Sequence, residues 1–173
     1  MAKKKTKKSS SNTFLALVAS VLGLLTSLAL FLNVWVWKVA SKSGETVSNV
    51  GGYFEDMESY ETAFKLGQEN FNTWGSTVAG VCVIVALVAA GLLTLVTVLN
   101  MLNKSNKTTA LVGKLACFVM LLAGLGALVG SLAFTIPSIG STITSSMTMA
   151  FGAIAGFMFP LLSGTVGFLA FRK

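Results

Sequence analysis

Histidine is absent from this 173-residue chain, and acidic side chains are absent from most of it. The only acids are Glu45, Glu55, Asp56, Glu58, Glu61 and Glu69, all within one segment. Without His there is no Ser/His/Asp set and no Cys/His pair, so the common routes to an activated nucleophile are closed. The long apolar stretches contain no Asp, Glu, Arg or His, and lysines occur only at their ends. Intramembrane ionisable groups mark proton relays and coupled transport. Their absence argues against a proton-coupled pump and against the small multidrug type of four-span transporter, which needs a carboxylate in its first span. Only two cysteines occur, Cys82 and Cys117, and both fall inside apolar stretches. They read as small core side chains, and the acidic segment has no thiol to oxidise. No spacing of the acids matches a calcium loop, and no glycine loop suited to phosphate is present. The sequence therefore leads us to expect no enzyme, no cofactor and no metal site. Nucleic-acid binding is excluded as well, because no folded basic surface follows the basic N-terminus.

What is present is apolar. The chain is 54% hydrophobic and 11% charged, with a mean hydropathy of +0.78. Soluble domains carry about 25% charged residues, so an all-α integral membrane protein is expected. Four uncharged stretches separate the charged islands. Residues 14–38 form the first span, 75–102 the second, 115–136 the third and 149–171 the fourth. A single crossing of a core about 30 Å thick needs about 20 residues. Pro137, Gly140 and a Ser/Thr run divide the last uncharged stretch into two spans, and a bend is expected near Pro160. Trp35, Trp37 and Lys38 at the end of the first span, with Trp74 before the second, read as interface anchors.

Charge gives the orientation. Residues 1–13 hold five lysines, residues 103–114 three more, and residues 172–173 end the chain with Arg-Lys. Residues 39–74 carry the six acids, and residues 137–148 carry no charge. The positive-inside rule then places both termini in the cytoplasm and the acidic segment outside. A multi-pass protein of the plasma membrane follows, built as a four-transmembrane-helix bundle.

The acidic exterior segment contains one recognisable element. Tyr53, Met57, Tyr60 and Phe64 share one face at helical spacing over residues 52–66. Glu55 and Asp56 sit in its first turn, where a helix dipole favours anions. Either this amphipathic helix docks on the bundle or lies in the membrane interface, or its aromatic and Met face binds a partner. Within the spans, Gly126-x-x-x-Gly130 and Gly152-x-x-x-Gly156 permit close helix approach in lipid. These glycines are expected to pack the third span on the fourth.

In outline this topology resembles the claudin-like tetraspans, with both termini inside, a larger first exterior loop and a shorter second one. The resemblance stops at topology. That family's first loop carries a tryptophan motif followed by two cysteines. Here Trp74-Gly75 is not followed by the remaining motif residues, and the loop has no Cys. The functional expectation is a non-enzymatic accessory or scaffold subunit. Its partners would be the lipid bilayer and another membrane protein or further copies of itself. The alternative is an oligomeric channel or small-solute permeation protein lined by hydroxyls such as Ser20, Thr26, Thr97 and Ser163.

Overall fold

The structure, a computed structural model, describes residues 10–41, 44–50, 52–53, 74–102, 106–134 and 143–172. Its elements in chain order are α1 (Ser10–Leu25), α2 (Leu28–Phe31), β1 (Trp35–Ser41), β2 (Gly44–Val50), α3 (Trp74–Met101), α4 (Lys107–Phe134), β3 (Ile143–Met149) and α5 (Phe151–Ala170). Four helical stretches are long and apolar enough to cross a membrane: Asn12–Phe31, Trp74–Met101, Lys107–Ala133 and Phe151–Ala170. They pack as an antiparallel ring in which α1 lies between α3 and α5, and α4 lies between the same two. Helix is the main component, as the long uncharged runs imply.

The all-α expectation is corrected by a three-stranded antiparallel sheet, ordered β2-β1-β3. The first span does not continue as helix to residue 38. It tightens at Gly23, where the amides of Thr26 and Ser27 donate three residues back, to the carbonyls of Gly23 and Leu24. Such bonds define a 3-10 turn. Helix ends at Phe31, and Leu32 is already extended. Trp35, Val36, Trp37 and Val39 then favour strand, being aromatic or β-branched. β1 pairs Trp35 with Val50 on one side and with Met149 on the other, and its last residue, Ser41, pairs with Gly44 and Ile143. The expected loop over residues 137–148 therefore contains most of a strand, supplied by Ile143, Thr144 and Thr148 among others.

The connection 103–114 is also shorter than expected, because α4 begins at Lys107. Its start is fixed by a reciprocal cap. Asn106 Oδ1 accepts from the Thr109 amide at 2.8 Å, and the Asn106 amide donates to Thr109 Oγ1 at 2.9 Å. Two otherwise orphaned donors are thereby satisfied. Pro160 lies inside α5 without ending it, and it is fully buried.

The bundle has two ends. At the sheet end, Ala29, Val34, Trp35, Tyr53, Val83 and Ala153 form one buried cluster. At the basic end, Ala19, Leu93, Cys117, Met120 and Phe171 belong to another. Much of the interior is alanine and glycine, while large apolar side chains such as Val88, Leu95, Leu125 and Val129 point outward and are exposed. A soluble fold would bury those residues, whereas a bundle in lipid packs through its small ones.

Candidate functional site

The densest set of specific contacts ties the sheet to the helices. It begins with the backbone. The Ala150 amide donates to the Val34 carbonyl at 2.8 Å, extending the β1–β3 ladder by one step. The Gly152 amide, in the first turn of α5, donates to the Asn33 carbonyl at 3.0 Å. That amide has no acceptor within its own helix, so the chain leaving the first helix caps the last one. A Cβ at Gly152 would lie 2.7 Å from the Asn33 carbonyl oxygen and 2.8 Å from that of Leu32. Glycine is required here for the two backbones to meet.

Side chains complete the junction. Trp35 is fully buried, and its indole Nε1 donates to Ser76 Oγ at 3.2 Å. Ser76, in the first turn of α3, in turn donates to the Tyr53 carbonyl at 2.9 Å. The Tyr53 ring meets Trp35 edge-on, with centroids 6.2 Å apart and planes at 87°. Edge-to-face pairs of this kind contribute about 0.5–1.5 kcal/mol beyond their burial. Tyr53 Oη donates to the Gly152 carbonyl at 3.4 Å and sits where a Cβ on Gly156 would be. Burial pushes the Tyr53 phenol above its ordinary pKa. One junction thus joins the start of β1, the residue-53 turn, α3 and α5. Its polar groups are committed to holding those elements together.

The residues singled out from sequence fall as follows. Trp35, expected as an interface anchor, is a buried residue of the sheet-end cluster, with its indole turned toward Ser76. Trp74 is half-exposed at the start of α3. Trp37 and Lys38 lie on β1, and their side chains are outside the described set, as are Met57, Tyr60 and Phe64 entirely. Tyr53 is buried in a turn and is therefore unavailable as part of an open partner face.

All four candidate glycines lie at close approaches; the third and fourth spans pack on each other, though through other glycines. A Cβ at Gly126 would meet Cys82 Sγ at 2.6 Å, and one at Gly130 would meet the Gly75 carbonyl oxygen at 2.7 Å, so both face α3. Gly152 and Gly156 face residues 32–33, Tyr53 and Val83. The α4–α5 contact uses other glycines: Gly124 against Leu161, and Gly164 against Leu121 and the Cys117 carbonyl. Cys82 and Cys117 are both free thiols. Cys82 packs at the level of Gly126, about 14 Å along α4 from Cys117 at roughly 1.5 Å per residue.

Deeper in the bundle the hydroxyls bond to backbone. Ser20 Oγ donates to the Ala16 carbonyl at 2.9 Å and meets Thr97 Oγ1 at 2.9 Å. Thr97 donates to the Leu93 carbonyl at 2.8 Å, and Ser163 donates to the Ala19 carbonyl at 2.5 Å. Thr26 differs: its hydroxyl is fully buried at the 3-10 turn, with no hydrogen-bond partner. Among the described residues there is no group of three His, Cys, Asp or Glu able to hold a metal.

Fold and site together define a bundle of four long apolar helices carrying a small sheet on one end, with a structural junction between them. No protein-family model matches the chain, and no curated protein matches it.

Proposed function

We propose that the chain is a non-enzymatic protein of the plasma membrane that crosses the bilayer four times and acts as an accessory or scaffold subunit. The observation that carries this reading is the junction of Trp35, Tyr53, Ser76 and Gly152. It clamps a sheet assembled from the first and third inter-helix segments onto two separate helices. Such a joint fixes a presented surface relative to the membrane, which a subunit that positions a partner needs. Charge supports the orientation: the basic N-terminal tail, the 103–114 connection and the C-terminus face the cytoplasm, and the acidic segment faces out. Recognition by another membrane protein, or by a second copy, is then assigned to the sheet and to residues 54–73, which include Met57, Tyr60 and Phe64. Affinity purification in mild detergent at native expression should recover a stoichiometric partner or a homo-oligomer. Recovery of a lone monomer overturns the scaffold reading.

Thr26 favours a second reading, an oligomeric channel or small-solute pathway. Its hydroxyl is buried and unpartnered at a helix break, a group that a water or solute reaching it would satisfy. The other hydroxyls, bonded to carbonyls, count against a continuous polar lining. Flux through liposomes containing purified protein separates the two readings: selective flux supports the channel, and tight liposomes support the scaffold.

A further inference from the structure

The basic end of the α4–α5 pair combines cations with exposed aromatic side chains beside the groove that any two packed helices leave between them. The ring of Phe171 lies on Gly113, where an added Cβ would be 2.9 Å from its Cζ. Lys114 follows Gly113 on α4, and Arg172 follows Phe171 just past the end of α5, so this contact brings both cations to the same end of one interface. Lys114 is half-buried and Arg172 is exposed. Lys107 precedes Lys114 by seven residues and so shares its helical face. One turn along α4 from Lys114, on the same face, lies Phe118, which is 52% exposed; in the last turn of α5, before Arg172, lies Phe168, which is 47% exposed. Further along, Leu121 packs on Gly164 and Leu161 on Gly124, closing the groove.

The groove is therefore cationic at its mouth and apolar along its walls. Among the described residues the only acid is Glu45, on β2 at the end of the bundle opposite Gly113. Every Asp and Glu lies between residues 45 and 69. α3 alone runs 28 residues from Trp74 to Met101, about 42 Å at roughly 1.5 Å per residue.

We infer that this groove binds an anionic phospholipid, with Lys114 and Arg172 on the headgroup phosphate, Lys107 adding field, and Phe118 and Phe168 against an acyl chain. Basic pockets between helices at a membrane surface suit such headgroups, and the aromatic walls distinguish a lipid from a free anion. The inference rests on the membrane reading above.

The test uses the full chain in detergent micelles, analysed by native mass spectrometry with added phosphatidylglycerol or phosphatidylcholine of the same acyl chains. Phosphatidylglycerol should be retained preferentially, and equimolar inorganic phosphate should not displace it. Lys114→Gln and Arg172→Gln should each weaken that retention about fivefold, without weakening phosphatidylcholine. Lys114→Arg should keep the preference, and Lys65→Gln should leave it unchanged. Equal retention of the two lipids, displacement by phosphate, or unchanged retention in both Gln variants overturns the inference. Circular dichroism melts show whether each variant is folded. Alkaline carbonate extraction of the native membrane runs alongside. Release of the chain there overturns the membrane reading itself, whereas a chain that stays in the pellet but shows no lipid preference overturns only the lipid site.

Discussion

At the scale of single residues, the junction depends on groups that each make more than one contact. Trp35 contributes its buried volume, its edge contact to Tyr53 and its hydrogen bond to Ser76. Trp35→Ala should cost about 3–5 kcal/mol, the usual range for a large aromatic cut from a core, read as the shift in thermal denaturation in detergent. Tyr53 adds a pH dependence. Its folded-state pKa is raised by burial above the unfolded value of about 10. A group of this kind stabilises the fold fully below its unfolded pKa, and that contribution is lost as pH rises beyond it. Wild type should therefore lose stability relative to Tyr53→Phe when pH is raised from 8 to 11. A constant difference between the two would show that the phenol is not desolvated. Thr26 gives the opposite kind of prediction. Its buried hydroxyl has no partner, and Val keeps nearly the same shape without a polar group. Thr26→Val should raise stability by about 1 kcal/mol, since an unsatisfied buried group costs about 1–3 kcal/mol. A melting temperature that falls instead would mean the hydroxyl is satisfied by water.

At the scale of elements, the helices were legible and the sheet was not, for a physical reason. A run of apolar residues reports that a segment avoids water; it does not report the backbone conformation inside the run. Residues 14–37 carry no charge, so the absence of charge continues through the change from helix to strand after Phe31. The signal that separates them is the aromatic and β-branched sequence Trp35-Val36-Trp37 followed by Val39. A Trp near a span end invites an interface reading first. Ser76 carried no signal at all, because its role depends on Trp35 and Tyr53 arriving from elsewhere in the chain. Glycine roles were half legible: spacing revealed close approach, but the partner helix is decided by rotation. Two glycines make that point measurable. A Cβ at Gly130 would meet α3 backbone, whereas one at Gly91 would meet nothing within 4 Å. Gly91→Ala should stabilise its helix by about 0.5–1 kcal/mol, from propensity alone. Gly130→Ala should destabilise, because neither the Gly75 carbonyl nor the Ala79 amide can move without parting the helices. If both substitutions shift the melting temperature the same way, the packing of α4 on α3 through Gly130 is wrong.

At the scale of the whole molecule, charge and architecture make one joint claim about sidedness. The antiparallel order of the helices puts residues 32–41, 44–50, 52–53 and 143–151 at one end and residues 102, 106–113 and 171–172 at the other. Among the described residues, Glu45 and Lys38 lie at the first end and Lys107, Lys114 and Arg172 at the second. If the bundle spans a bilayer, these ends must lie on opposite sides, and the excess of Lys and Arg assigns the second to the cytoplasm. Labelling can read this directly. Cys117 is buried and Cys82 is half-buried against Gly126 inside the bundle, so wild-type protein in intact cells should react little with a membrane-impermeant maleimide. Thr148 on β3 and Thr108 on the first turn of α4 are both exposed. Thr148→Cys should label in intact cells, and Thr108→Cys only after permeabilisation. The reverse pattern would invert the topology while leaving the fold intact. Labelling of both in intact cells would remove the chain from the membrane-spanning class, and with it the reason for its outward-facing leucines and valines.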